Sequence, residues 1–550
     1  MSVSPGYDEA FPTLTDADLR LVQTYGTRRA ISVGEYLFRQ GDQTDDFYVV
    51  LSGAVDIIVH SDHEDRVLVR HGPRRFVGEL NLLTGLRVLV SARVAERGEV
   101  VAVSKDAWRT LIATKARLSD TILTALMARR ALLVQSAAAS IRLVGSRFSP
   151  ETRLIREYLS RSHIPHEWLD PDRDASVDEL LHASGTGPND LPLVLAGETI
   201  LRQATAGSIA EYLGLTVQSL PSRSFDLVVA GAGPAGLAAA VYGASEGLRT
   251  LILEMVAAGG QAGSSSRIEN YLGFPTGISG DDLTQRALVQ AEKFGAFLSS
   301  PCSAAALREE NGHLIVRLSD GTDVVGRAVI AATGAMYRRL DVGRLDCFEG
   351  NGIYYAATEL ESRTCAGSPV VVVGGGNSAG QAAMFLAENA NSVALLIRGS
   401  DLGKNMSRYL VDRVDAHPRI NVHLNSQVSE LVGETGLEAI RVTGPDGESE
   451  IACVGLFSLI GADPSSRWLS GCAALDENGF VLTDASLTDE HLNGDWWTSL
   501  GRRPLPFETS RPGLFAVGDV RSGSMKRVAS AVGEGSAAVR SVHQFLAFEH

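Results

Sequence analysis

Gly231-Ala232-Gly233-Pro234-Ala235-Gly236 and Gly374-Gly375-Gly376-Asn377-Ser378-Ala379 are the stretches of this chain best suited, by residue type and spacing, to hold phosphate. Each follows an apolar run, Phe225-Asp226-Leu227-Val228-Val229 or Pro369-Val370-Val371-Val372-Val373, and each precedes an alanine-rich, helix-like one. The first glycine permits a tight turn and the second lets backbone approach a pyrophosphate. The third position lets helix and strand pack closely, and the helix N-terminus then faces the phosphates. One such fingerprint is a weak signal. Two of them, both in strand–glycines–helix order, predict a flavin dinucleotide and a nicotinamide dinucleotide held face to face.

Each site needs a group for its ribose. Glu254 ends the strand Leu251-Ile252-Leu253-Glu254 after the first fingerprint, where an acid accepts from ribose hydroxyls. The corresponding strand of the second site, Ser392-Val393-Ala394-Leu395-Leu396-Ile397, ends in Arg398 instead. A guanidinium suits a 2′-phosphate, so NADPH is expected over NADH, with Lys404 or Arg408 adding charge. Asp519, in Ala516-Val517-Gly518-Asp519, is placed to accept from a ribityl hydroxyl.

The elements that must position these groups form a doubly wound α/β pattern from residue 225 onward. A first dinucleotide domain is expected at 225–349 and 466–550, with a second, 350–465, inserted in it. Ahead of them, 138–218 reads as βαβαβα. Its strands are Ile141–Val144, His166–Leu169 and Leu191–Leu195, and its helices start at Pro150, Ser176 and Ala206. Ser149 is its first cap, with Pro150 at the first helical position. Residues 1–137 alternate apolar side chains with turn glycines, as a small antiparallel barrel does, and end in one helical run from Lys105 to about Ser140. The fold class is therefore multi-domain α/β with an N-terminal β-barrel-type unit.

From 225 to about 547 the chain resembles the low-molecular-weight thioredoxin reductase family. The residues that carry the resemblance are Gly259-Gly260-Gln261, Glu269-Asn270-Tyr271, Ala332-Thr333-Gly334-Ala335, both fingerprints, Gly518-Asp519-Val520 and the run Lys526-Arg527-Val528 to Gly535. It implies FAD in the outer parts, NADPH in the insert and a swivel between them. Gly260, Gln261, Asn270, Thr333, Gly334, Arg527 and Val528 join the flavin site by that resemblance. A homodimer is implied too.

The family places Cys-Ala-Thr-Cys just before the second fingerprint. Here Ala356-Ala357-Thr358-Glu359 stands there. Disulfide exchange needs an attacking thiolate and a resolving sulfur, and these residues offer neither. Cys365 is the nearest thiol and the one candidate for thiol catalysis, though a structural cysteine is the stronger reading. Residues 138–218 resemble a thioredoxin- or glutaredoxin-like domain with Pro192 in its cis-proline position, yet Ser149-Pro150-Glu151-Thr152 replaces Cys-Pro-x-Cys. Both dithiols are gone.

Residues 34–53 and Phe76 to Gly85 resemble the cyclic-nucleotide-binding domain and its phosphate cassette. The resemblance implies a pocket for cyclic AMP or cyclic GMP built on Gly78, Glu79, Leu80, Arg87 and Ser91. Arg87 lies one position early for the phosphate-pairing arginine, and Val88 takes its place. A dead pocket that serves packing or dimerisation stays open.

A formal charge of −15 over 550 residues argues against nucleic acid as a partner. No apolar run is long enough for a bilayer and Met1–Leu21 lacks a signal pattern, so a cytoplasmic protein is expected. Cys302, Cys347, Cys365, Cys453 and Cys472 are scattered and predict neither a disulfide framework nor a metal site. The function expected is an FAD-dependent NADPH oxidoreductase that delivers electrons to an external acceptor, a carrier protein or a small oxidant. Two alternatives stand beside it: a disulfide reductase borrowing a partner's dithiol, and a nucleotide sensor without turnover. Trp496 and Trp497 edge the acceptor site or belong to a packed loop.

Overall fold

Strands buried on both faces read as unbroken apolar runs, and two such runs nucleate the C-terminal half. In the computed structural model Ser224–Ala230 pairs in parallel with Thr250–Leu253 on one side and Asp323–Ala331 on the other. Phe297–Ser299 extends the sheet beyond Thr250–Leu253. Asp323–Ala331 is shared: its first half pairs antiparallel with His313–Leu318, its second half parallel with Leu514–Ala516. The valine run Pro369–Val373 centres a second, all-parallel sheet, flanked by Gly455–Ser458 and Ser392–Leu396. A two-stranded ribbon, Ala335–Tyr337 against Ala462–Pro464, carries the chain out to this sheet and back. The structure describes residues 7–548 except 43–45, 61–64, 79–80, 85–86, 136–140, 175, 198, 266, 269, 311, 349–351, 356, 358, 435 and 494. Glu79, Leu80, Glu269, Ala356 and Thr358 therefore lie outside the described residues.

The N-terminal unit is a six-stranded antiparallel sheet built on two long strands, Asp46–His60 and Ser91–Ser104. The single helical run expected after it is two helices, Lys105–Thr114 and Ala116–Gln135. Lys115 leaves helical geometry between them (φ −114, ψ 73). The break lets Trp108, Leu111 and Ile112 on one helix and Leu118, Ile122 and Leu126 on the other enter one cluster. The middle unit is a mixed sheet whose spatial order is Thr199–Leu201, Leu193–Ala196, Ile141–Val144, His166–Leu169. Its last two strands are parallel and the rest antiparallel. The βαβαβα expectation thus omits one strand, Thr199–Leu201, a three-residue hairpin arm with no buried side chain to mark it. Leu191–Pro192 is cis.

These units are packed onto the half that carries the first fingerprint. Val289, on the helix Gly280–Lys293, joins the cluster of Leu82, Trp108 and Leu126 in the N-terminal unit. One turn on, Glu292 is 7% exposed and lines, with Leu83, Arg109 and Leu215, a cavity of about 50 Å³ where the units meet. Burial pushes its carboxyl up to about 8, with the charge of Arg130 pulling the other way. Among the described residues no helix is long and apolar enough to cross a membrane.

Candidate functional site

The first fingerprint is a turn in which space is left at one position only. Gly231 has φ +108, and a Cβ there would lie 2.2 Å from the Ala332 carbonyl oxygen. A Cβ at Gly236 would lie 1.9 Å from the Gly231 carbonyl oxygen. Gly233, between them, meets nothing nearer than the Gly260 Cα at 3.9 Å. The second fingerprint repeats the arrangement: Gly374 (φ +147) is closed off by the Leu459 carbonyl at 2.3 Å, while Gly376 is open to 4.0 Å. The helices that follow, Pro234–Ser245 and Asn377–Asn389, have no side-chain cap at Gly233 or Gly376. Two uncapped helix N-termini, each beside an open glycine, fit a dinucleotide diphosphate apiece.

Around the first loop the structure gathers most of the predicted flavin residues. Glu254 accepts from the Ala232 amide at 2.8 Å and the Val256 amide at 3.2 Å, which leaves each carboxylate oxygen a lone pair for a ribose hydroxyl. Burial raises its pKa above the usual carboxylate range, opposed by those two amides and by the charge of Arg161. The Gly259 amide donates to the Ala232 carbonyl at 2.8 Å, bringing Gly260 against Gly233. Gln261 donates to the Ala335 carbonyl at 2.6 Å, and the Thr333 hydroxyl to the Ser465 carbonyl at 2.6 Å. Both bonds tie the flavin site to the two arms of the interdomain ribbon. Gly518 (φ +70) lies against Ala235, with a Cβ–Cβ approach of 2.9 Å were it alanine. Burial raises the Asp519 pKa, with Lys526 lowering it and Glu534 raising it further. Val528 packs with Ile268 and Ile278, while Asn270 and Arg527 are exposed.

Sequence reasoning gave Glu534 no role, and the structure gives it one. Its carboxylate accepts from the Gly518 amide at 2.7 Å, from Arg521 at 2.6 and 3.2 Å and from the Ser524 hydroxyl at 2.9 Å. The turn carrying Asp519 is thereby pinned to the terminal helix Val528–Phe548. The sequence signal was Gly533-Glu534-Gly535, an acid between two glycines in a helix.

At the second site Asn377 accepts from the Ser407 amide at 2.7 Å, while Ser378 is exposed and Ala379 buried in the helix's first turn. Arg398 is exposed just past Ser392–Leu396, with Lys404 exposed nearby in sequence. Arg408 pairs with Asp412 at 2.9 Å along their own helix.

Cys365 and Arg87 stand apart from both dinucleotide loops. Cys365 is 1% exposed, and a Cβ on Gly455 would stand 2.8 Å from its sulfur. Burial pushes its thiol up to about 11, so it remains protonated and enclosed rather than poised to attack. Arg87 is taken up by main-chain contacts. Its Nε donates to the Tyr212 carbonyl at 2.8 Å and Nη1 to the Gly41 carbonyl at 2.6 Å, so it joins the N-terminal unit to the helix Ala206–Leu213. Ser91 is fully buried and accepts from the Gln40 amide at 2.9 Å, and a Cβ on Gly78 would meet Phe47 at 2.9 Å. Trp497 is packed, its indole N–H on the Ser510 carbonyl at 2.9 Å, and Trp496 is half-covered by Arg511 at 3.7 Å.

Two dinucleotide sheets joined by a ribbon, one of them inserted in the other, define a flavoprotein oxidoreductase that uses a nicotinamide nucleotide. Residues 225–535 match the family described as pyridine nucleotide-disulphide oxidoreductase, and the chain belongs to that family. Residues 28–115 match the cyclic nucleotide-binding domain. The chain is 33% identical to the thioredoxin reductase of Streptomyces clavuligerus over 326 residues, 58% of this chain and 94% of that one. It is 32% identical to NADPH-dependent thioredoxin reductase 3 of Arabidopsis thaliana over 369 residues, 64% of this chain and 65% of that one. Among solved structures, thioredoxin reductase from Lactococcus lactis in its FR conformation is similar at a TM-score of 0.52, with 27% identity over 59% of this chain and 99% of that one.

Proposed function

We propose that this protein is an FAD-dependent NADPH oxidoreductase that hands electrons from its flavin directly to an external acceptor, without an internal dithiol. The observation that carries the reading is Ala356-Ala357-Thr358-Glu359 where the family resemblance implies Cys-Ala-Thr-Cys, with the nearest thiol, Cys365, buried. When bound, NADPH supplies a hydride and FAD the two-electron store that receives it. The chain's part is to bind and orient. Gly233 and the N-terminus of Pro234–Ser245 would hold the flavin's diphosphate, Glu254 its adenosine ribose and Asp519 its ribityl chain. Gly376, Asn377 and Ser378 would hold the nicotinamide nucleotide's diphosphate, and Arg398 its 2′-phosphate. Support for that division is the ribbon at 335–337 and 462–464: its second arm ends beside the proposed boundary at 465, while its first precedes 350, with Leu345 and Phe348 packing in the insert's cluster.

We read the middle unit as thioredoxin-like but without redox chemistry, on the support of its strand order. The N-terminal unit is read as regulatory, on the support of its domain match and its seat on Gly280–Lys293. A cyclic nucleotide, cyclic AMP or cyclic GMP, would enter beside Gly78, and Arg87 lends that no support. A homodimer in solution and an acceptor protein or small oxidant complete the reading.

An anaerobic NADPH titration followed by flavin absorbance is expected to reduce the flavin completely at about one equivalent per flavin. Uptake of a second equivalent would reveal a working dithiol and sink the reading. Arg398→Ala is expected to raise the KM for NADPH about tenfold, the size of one charge-assisted contact, and to leave that for NADH nearly unchanged. Equal effects on both would remove Arg398 from the 2′-phosphate.

A further inference from the structure

The middle unit meets the flavin half at Leu215, whose carbonyl accepts from the Ser300 amide at 3.1 Å, and at the end of one helix, Pro150–Arg161. Tyr158, 1% exposed, donates its hydroxyl to the Ser300 carbonyl at 3.2 Å. His163, just past the helix, stands 2.9 Å from the Asp281 carboxylate. Between them Arg161 reaches the Gly260 carbonyl with Nη2 at 3.5 Å, its Nη1 lying 3.4 Å from Glu157.

These contacts surround one end of the proposed flavin site. Glu254 is bonded to the loop that Tyr158 touches: its amide donates to the Ser299 carbonyl at 3.0 Å, and its carbonyl accepts from the Cys302 amide at 2.6 Å. Gly260, which Arg161 touches, is the residue lying against Gly233, where a Cβ at 260 would come 2.9 Å from the Gly233 Cα. Tyr158 and Arg161 therefore contact the segments that adjoin the ribose acid and the diphosphate loop respectively.

The charge balance there favours a cation. A bound FAD brings a diphosphate of two negative charges next to Glu254, and the adjoining helix opens with Asp281 and Asp282. The field of Arg161 reaches both Glu254 and Asp281, acting against the burial that raises their pKa values. Its bond to the Gly260 carbonyl is long, since N–H···O bonds cluster near 2.9–3.0 Å, and its contact with Glu157 at 3.4 Å is long too. A guanidinium has five donors and binds phosphate oxygen far better than a peptide carbonyl.

We propose that Arg161, carried by the middle unit, is an FAD-binding residue whose guanidinium neutralises the diphosphate end of the cofactor beside Gly260 and Glu254. The inference rests on the FAD reading above. It makes the middle unit a clamp on the cofactor, so that flavin retention depends on a domain outside the two dinucleotide sheets.

The test uses the full chain freed of flavin and titrated with FAD, ADP and riboflavin. Arg161→Gln is expected to weaken FAD and ADP about tenfold and to leave riboflavin unaffected, with Arg161→Lys recovering part of the loss. Tyr158→Phe and His163→Ala, which loosen the same contact without removing the charge, are expected to stay within about twofold for all three ligands. Unchanged FAD and ADP affinity in Arg161→Gln would overturn the proposal. An equal loss in Tyr158→Phe or His163→Ala would overturn it too, making Arg161 a docking residue. If the unsubstituted chain binds neither FAD nor ADP, the FAD reading itself falls, and this inference with it.

Discussion

Gly233→Ala is expected to give a folded protein that has lost its flavin. Gly233 has φ −74 and ψ −178, extended backbone open to any residue, and its Cβ would meet nothing nearer than the Gly260 Cα at 3.9 Å. The substitution therefore adds no strain to the empty fold, and the unfolding midpoint of the apoprotein should shift by no more than about 1 °C, as for a neutral surface change. What the methyl group does is fill the space that the second glycine of the fingerprint leaves for the diphosphate. Overfilling a tight site costs up to about 3 kcal/mol, a factor of up to about 150 in FAD affinity. Gly236→Ala is the informative contrast. Alanine is better than glycine inside a helix by about 1 kcal/mol, but a Cβ 1.9 Å from the Gly231 carbonyl oxygen is backbone overlap that the gain cannot offset. That variant should lose stability and flavin together. The ratio of flavin to protein absorbance, with the melting midpoint of each apoprotein, separates the two. A Gly233→Ala protein that purifies with a full complement of flavin would remove the first loop from the cofactor site.

The glycine spacing was readable in the sequence because it is local sterics: a turn, an opening and a close helix–strand contact fall within six residues. The short elements of the middle unit, Ile141–Val144, His166–Leu169, Ser176–Ala183 and Ala206–Leu213, were readable at their bounds for a similar reason, since punctuation flanks them. Lys115 was not, because the residues around it are helix formers without glycine or proline. The break there goes with tertiary packing, since apolar side chains of both helices reach one cluster. Arg87 shows the limit for site residues. Its place near the cassette was visible, but the direction of its guanidinium is decided by Tyr212, 125 positions away. Arg161 and Glu534 follow the same rule. Nothing in a helix-terminal arginine, or in an acid between glycines, says which distant backbone it will meet.

Glu534→Ala is expected to lower the stability of the flavin half and weaken its hold on FAD in one step. The carboxylate accepts four hydrogen bonds, two of them from Arg521, and the side chains of this pair are only 11% and 18% exposed. Removing a buried acid leaves its cation unpaired, a loss of about 3–5 kcal/mol when burial is complete. Some solvent reaches this pair, so about 2–3 kcal/mol is expected, or a fall of about 5–10 °C in the melting midpoint. The effect extends to FAD because one of the four bonds comes from the Gly518 amide, in the turn that presents Asp519. The terminal helix that carries Glu534 has little freedom to adjust: a Cβ on the neighbouring Gly535 would lie 2.0 Å from the Ala235 carbonyl oxygen. The carboxylate is thus held at a fixed distance from the first fingerprint's helix, and the turn takes its position from the carboxylate. Ser524→Ala, which removes one of the four bonds and no charge, should cost no more than about 1 kcal/mol and leave FAD affinity nearly intact. Melting curves and FAD titrations on both variants decide the matter. If Glu534→Ala melts like the unsubstituted protein, or melts lower with FAD affinity unchanged, the turn is held by other contacts.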